Sequence, residues 1–174
     1  MTELVPPSPD LYDSWLAAEE DFGDEHRDGS GAFGGRESTE RSSYDLMVAQ
    51  RLAEGDPATP MPEDRVHCTY LWMVEDGEFV GYLAIRHSLT PFLLEEGGHI
   101  GYSVRPSRRR EGHATRALAL SLPVAASLGI DRVLVTCDED NAGSRRTIEK
   151  NGGVFEDVRR GKRRYWIAVG SSVG

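Results

Sequence analysis

At 174 residues the chain is long enough for one domain with a real core and too short for a second independent one. Hydrophobic residues make up 39% and charged residues 28%, the balance of an ordinary soluble globular protein, and no stretch approaches the about 18 unbroken apolar residues of a membrane span. The net charge of −9 is unevenly placed: residues 1–64 hold 16 acidic against 4 basic side chains, and residues 65–174 hold 13 against 16. The acidic third reads either as a solvated arm or as a surface that draws cationic substrates in.

The proline-rich, acidic start MTELVPPSPD lacks the character of a secretory signal. A first helix is expected over 9–21, capped by Ser8 or Asp10, with Leu11, Trp15 and Leu16 at helical spacing. Phe22 to Ser43, rich in Gly, Asp, Ser and Glu, reads as a loop or mobile segment. Tyr44 to Ala53 reads as a second helix, ended by Gly55 and Pro57. After Asp64 the pattern changes. Val66–Glu75 and Glu78–His87 form an antiparallel pair turning at Asp76-Gly77. A connection over 88–96 leads to a strand from His99 to Val104. A helix from Arg110 to Leu128, kinked at Pro123, precedes a β-branched strand from Asp131 to Cys137. A helix from Asn141 to Asn151 stops at Gly152-Gly153, and strands Val154–Val158 and Arg163–Val169 turn at Gly161-Lys162. This order predicts an α/β (α+β) domain with a mixed sheet, antiparallel at first. Cys68 and Cys137 show neither a disulfide framework nor metal-ligand spacing, and read as reduced thiols of a cytoplasmic protein.

The most informative run is HIGYSVRPSRRREGHATRALA, His99 to Ala119. A strand that delivers a glycine loop onto a helix N-terminus is suited to an anion, because the first helical N–H groups lack partners and the helix dipole is positive there. Neither G-x-G-x-x-G nor G-x-x-x-x-G-K-[ST] is present. Arg109-Arg110-Glu111-Gly112-His113-Ala114 instead makes an R-x-x-G-x-A pattern, with small residues where backbone amides approach a ligand and arginines beside them. Such a loop suits a diphosphate.

With the later NAGSRRTIEKNGG, this loop resembles that of the GNAT superfamily of acetyl-CoA-dependent N-acetyltransferases, in its branch of ribosomal-protein N-terminal acetyltransferases. The likeness runs from about Val66 to the C-terminus, which makes 65–174 the cofactor-binding core and 1–64 an acidic helical part of a single domain, 1–174. It implies a mostly antiparallel central sheet, helices on both faces, and a splayed strand pair that holds coenzyme A. It further implies that Tyr102, Ser103 and Val104 pair with the pantetheine amides. Arg109, Arg110, Glu111, Gly112, His113, Ala114 and Thr115 would surround the pyrophosphate, with the His113 side chain turned away. Asn141 would contact the cofactor arm, although asparagine there is also a natural helix N-cap. Ser144 matches a serine of that branch.

Acetyl transfer to an amine needs a neutral amine and a proton for the departing thiolate. Where many relatives have a tyrosine acid, this chain has Ile148, so Ser144 becomes the leading donor, with Tyr165 and Cys137 in reserve. The family's strand glutamate base corresponds to a place near His99, whose ordinary pKa of about 6.5 suits a base. His67, His87 and His113 are weaker candidates than His99, and Glu95 and Glu96 are candidates for a base or substrate anchors if the connection folds over the cleft. The expected activity is acetylation of a primary, cationic amine on a small molecule or peptide, by direct attack in a ternary complex without a metal. The alternative is a non-catalytic acyl-CoA-binding sensor. Nucleic acid is disfavoured as a partner by the acidic charge, and no membrane partner is expected. The apolar face of the last strand (Tyr165, Ile167, Val169) is a candidate homodimer surface.

Overall fold

A computed structural model describes residues 1–33 and 35–170; Gly34, inside the 22–43 segment, and residues 171–174 lie outside the described residues. Two helices lie in the first third of the chain. Ser8 Oγ accepts the Asp10 N–H, Pro9 begins a 3₁₀ turn, and α1 follows over Tyr12–Phe22. Its buried stripe is Trp15, Ala18, Glu19 and Phe22, the i, i+3, i+4, i+7 spacing of one helical face. Helix α2, Arg41–Glu54, repeats that spacing with Tyr44, Met47, Val48 and Arg51. It begins three residues before the expected Tyr44, where Arg41 lies 5.0 Å from the Tyr12 ring centroid and pairs with Asp45 at 3.0 Å.

Among the described residues seven strands make two sheets, ordered β1-β2-β3-β4 and β5-β7-β6, with every pairing antiparallel. Strand β1, Glu3–Val5, lies along β2, Cys68–Glu75. Its three residues before Pro6-Pro7 carry no strand signal of their own; the β2 edge supplies it. β2 turns into β3, Glu78–Arg86, on Asp76 and Gly77, with φ of 51° and 79°. This is the left-handed geometry that a two-residue hairpin favours. Val80 is the extra residue of a bulge, since Met73 faces Gly81 and Val74 faces Phe79. Strand β4, Ile100–Val104, pairs with β3. The second sheet holds β5 (Arg132–Asp138), β6 (Val154–Arg159) and β7 (Lys162–Ala168), the last pair turning on Arg160-Gly161.

Helix α3, His113–Ser127, continues through Pro123, and α4 spans Ala142–Lys150. Period-two alternation buries both faces of β2 and β3. Leu71, Met73, Leu83 and Ile85 join Leu118 of α3, Ile148 of α4, and Val133, Val135, Tyr165 and Ile167 of the second sheet. On the other face Trp72, Phe79 and Tyr82 join Trp15, Phe22, Tyr44 and Met47 of the first two helices. Helices therefore cover both faces, as the resemblance implied. Tyr165 and Ile167 are 0% and 2% exposed inside this core, so the face offered as a dimer surface is already covered by the chain itself. No described helix is long and apolar enough to cross a membrane.

Between α1 and α2 the described residues of 23–40 hold no regular element, yet the connection is pinned. Arg27, 8% exposed, donates to Glu19 Oε1 at 2.9 Å and caps the α1 carbonyls of Glu19 and Gly23. Gly29, at φ +82°, lies against β3 and β4 so closely that a Cβ there would stand 2.5 Å from the Gly101 carbonyl oxygen.

Candidate active site

Among the described residues the edges of the two sheets are hydrogen-bonded to each other at one point. The His99 N–H donates to Leu134 O at 2.7 Å, and the Leu134 N–H donates to His99 Nδ1 at 2.9 Å. The imidazole thus stands where a strand carbonyl would, and among the described residues no ladder carries the pairing on from β4 to β5. Beyond His99 the strands splay. On β4, the bonds Arg86 N to His99 O and Arg105 N to Val80 O fix the alternation with β3. The main-chain groups of Tyr102 and Val104 therefore face the gap. Those of Ser103, opposite Tyr82, face β3, because alternate residues of a strand turn opposite ways. On β5, Val169 N bonds to Asp131 O, so by the same alternation Thr136 turns its main-chain groups into the gap.

The loop between β4 and α3 places the N-terminus of α3 at the end of this gap. Gly112 takes φ +88° as the N-cap, a Cβ there would meet no atom within 4 Å, and no side chain caps the helix. The first intrahelical bond is Arg116 N to Gly112 O, which leaves the N–H groups of His113, Ala114 and Thr115 without helical partners. An uncapped N-terminus beside a slot lined by main-chain groups turned out of the sheets fits a long ligand with a pyrophosphate and amide-bearing arm.

The loop side chains divide. Arg108 pairs with Glu75 at 2.6 Å and Glu111 at 2.8 Å, and it sits amid Glu75, Glu111 and His113, which otherwise converge like metal ligands. Arg109 donates to Val104 O at 3.0 Å and to Glu25 at 2.7 Å. Among the described residues only Arg110 of the three arginines has no such partner; it adopts φ +66° and is exposed. Glu111 turns to Arg108 and to His113 Nε2 at 2.8 Å, and His113, 3% exposed, also meets Thr2 Oγ1 at 2.8 Å. Thr115 Oγ1 lies 3.3 Å from Thr147 Oγ1, which ties α3 to α4.

Asn141 caps α4, its Oδ1 accepting the Ser144 N–H at 3.0 Å. Ser144 Oγ lies 2.7 Å from the Tyr102 hydroxyl, so β4 and α4 meet across a pair of hydroxyls. Burial foremost pushes the Tyr102 phenol upward and holds it protonated. The reserve donors are less suited. Tyr165 is fully buried, with its hydroxyl bonded to Glu149, and burial holds Cys137 as a thiol. Burial, assisted by the Arg86 charge, lowers His99 to about 4. Its Nδ1 already accepts a backbone N–H, so in the neutral ring the proton resides on Nε2. No accepting nitrogen is left for a base. Glu95 and Glu96, in a π-helical turn over Leu93–Gly97, pair with Arg159 at 3.0 Å and Arg160 at 3.5 Å. His67 and His87 stack on each other at 6.2 Å beside Thr59 and Thr69.

Splayed sheet, glycine loop and uncapped helix define an acyl-CoA transferase fold. The family model described as acetyltransferase (GNAT) domain matches residues 4–154, and the chain belongs to this family of acetyl-CoA-dependent N-acetyltransferases. Solved structures share the fold. RimJ of Mycobacterium smegmatis, in complex with CoA-disulfide, is 21% identical with a TM-score of 0.68, over 96% of this chain and 81% of that one. A Salmonella typhimurium acetyltransferase that modifies the N-terminal serine of a 50S ribosomal subunit protein is 14% identical with a TM-score of 0.65, over 97% and 95%. The microcin self-immunity acetyltransferase MccE, in complex with acetyl-CoA and AMP, is 14% identical with a TM-score of 0.64, over 97% and 92%. No curated protein sequence matches significantly.

Proposed function

We propose that the protein transfers the acetyl group of acetyl-CoA to a primary amine by direct attack in a ternary complex, with Ser144 delivering the proton to the leaving thiolate. Bound acetyl-CoA supplies the acetyl group as an activated thioester. The N–H groups of Gly112, His113, Ala114 and Thr115 hold the pyrophosphate, with Arg110 beside them, and the main-chain groups of Tyr102 and Val104 orient the pantetheine arm. For Val104 this requires Arg109 to release the carbonyl it now holds. Asn141 keeps Ser144 in place through the α4 cap.

The observation that carries the reading is the 2.7 Å contact between Tyr102 and Ser144. A protonated phenol behind a serine hydroxyl replaces the tyrosine acid that Ile148 has displaced, and Ile148 itself is fully buried in the core. His99, neutral at working pH, acts as the clamp that sets where the strands part. A cationic acceptor agrees with the acidic first third, and a peptide amine agrees with the N-terminal serine target of the Salmonella relative.

The test is a panel of primary amines, from polyamines to short peptides with N-terminal serine, assayed by release of free coenzyme A thiol. Turnover with at least one amine is expected; calorimetry that finds no acetyl-CoA binding would end the proposal. Ser144→Ala should lower kcat on the order of 100-fold while acetyl-CoA still binds. Tyr102→Phe should lower it less, since Ser144 keeps its own proton.

A further inference from the structure

Along β4, nearly every group able to take a proton is already engaged. His99 Nδ1 accepts from Leu134, Asp21 is held by Arg105 and Ser107, and Glu25 is held by Arg109. Glu95, Glu96 and Asp138 are bound to Arg159, Arg160 and Lys162. One pair is exempt. His26 Nε2 lies 3.1 Å from Asp28 Oδ1, and among the described residues neither side chain meets an arginine or lysine at ion-pair distance.

The segment bearing this pair follows β4. Asp21 meets Arg105 and Ser107, Glu25 meets Arg109, Asp28 O accepts from Ser103 Oγ at 2.8 Å, and Gly29 lies against Gly101. Asp28 is exposed between buried Arg27 and buried Gly29, and its main-chain carbonyl, bonded by Ser103, holds it beside the strand. It lies on the β4 face opposite the Tyr102 side chain, yet near enough for its charge to bear on the phenol. His26 also lines a cavity of about 450 Å³ with Asp24, Glu25, Arg27, Ser30 and Arg36, a volume within the range of small-molecule sites.

We propose that His26, oriented by Asp28, is the general base that receives the acceptor ammonium; this rests on the amine-acetylation reading above. With Nε2 turned to the Asp28 carboxylate 3.1 Å away, the Nδ1 lone pair is left for the acceptor, the base-and-orienter logic of a His–Asp pair. The ammonium gives one proton to Nδ1, which passes it to solvent. The new C–N bond forms as the C–S bond breaks, and the Ser144 hydroxyl gives its proton to the thiolate. Ser144 regains a proton through Tyr102 as the amide nitrogen sheds its second one, so each turnover releases a single proton. The charges facing the pair are Asp24, Glu25, Arg27 and Arg36 of its own segment, Arg109 of the cofactor loop, and Lys162 of β7, whose ammonium feels both Asp28 and Glu96.

The experiment compares the unaltered protein with His26→Gln and Asp28→Asn, using glycinamide, ethanolamine and spermidine as acceptors across pH 5.5–9.5, roughly the range that spans the ordinary imidazole and amine pKa values. Both variants are expected to bind coenzyme A unchanged by calorimetry. His26→Gln should lose on the order of 100-fold in kcat near neutral pH and recover as the acceptor itself deprotonates. An unchanged pH–rate profile overturns the proposal, and so does an Asp28→Asn protein that no longer binds coenzyme A, since the residue then holds the fold. If the unaltered protein acetylates no amine, the transfer reading fails, and NMR reads the pair independently. Spermidine should then shift the His26 ring signal, and Asp28→Asn should abolish the shift. No shift in the unaltered protein overturns the proposal.

Discussion

A single imidazole sets where the cofactor slot begins. His99 reads from its position as a base, but its Nδ1 is spent on the Leu134 N–H and its pKa is drawn down to about 4. The consequence is a pH dependence of stability, not of catalysis. In the unfolded chain the ring titrates near 6.5, so below that pH the unfolded state binds a proton that the folded state refuses. Stability is therefore full above pH 6.5 and declines as pH falls toward 4. His99→Gln, which keeps an acceptor without a titrating ring, should flatten this decline by roughly 1–2 kcal/mol between pH 7 and 5, read from urea midpoints. Sequence could not place the imidazole, because its role depends on a strand 35 residues away. Ser144 was legible from the spacing after Asn141. Its partner Tyr102 was legible only as a main-chain contact, since alternation along β4 decides which way the side chain turns.

At the scale of elements, the α1–α2 connection is the part that sequence misrepresents. Glycine and serine content suggests mobility, yet the segment is riveted to β4 and to α1. Glu19 and Arg27 are buried together, and Glu19 Oε1 also accepts from Tyr82, which accepts in turn from Trp15. Arg27→Ala would leave a buried carboxylate without its cation and should cost about 3 kcal/mol or more, seen as a lowered melting temperature. Two glycines separate structural from ligand-binding effects. Gly112→Ala meets no atom and carries only the left-handed backbone cost of about 1–2 kcal/mol, but it should weaken coenzyme A binding by disturbing the helix N-terminus. Gly29→Ala collides with the β4 backbone, so it should displace the segment and raise the acceptor KM more than the acetyl-CoA KM.

At the scale of the molecule, one core underlies both sheets, yet among the described residues their edges join only at His99–Leu134. A ligand seated in the gap completes the hydrogen bonding of both strand edges. Acetyl-CoA at about 100 times its Kd should add about 2.7 kcal/mol and raise the melting temperature by roughly 5–10 °C. Amide exchange should slow most at Tyr102, Val104 and Thr136, the residues whose main-chain groups turn into the gap. Protection spread evenly over the molecule would contradict a ligand in this slot. The negative charge acts at the same scale. Many of the carboxylates before residue 65 are bound to arginines, including Arg105 and Arg109 from the second half, so the acidic third is knitted to the cofactor loop instead of forming a free arm.

Local sequence determined the helices of the first third, the Asp76-Gly77 hairpin, the glycine loop opening α3 and the Asn141 cap. Each rests on short-range physics: helical spacing, left-handed turn residues and unsatisfied amides at a helix end. The family followed from those signals together, and so did the cofactor. Tertiary structure alone decided the recruitment of β1, the point where β4 and β5 part, the Tyr102–Ser144 contact, and the pairing of Arg108 and Arg109 with distant carboxylates. These depend on which strand edges and charges the folded chain brings within about 3 Å of one another, the reach of a hydrogen bond, and no local pattern encodes that distance.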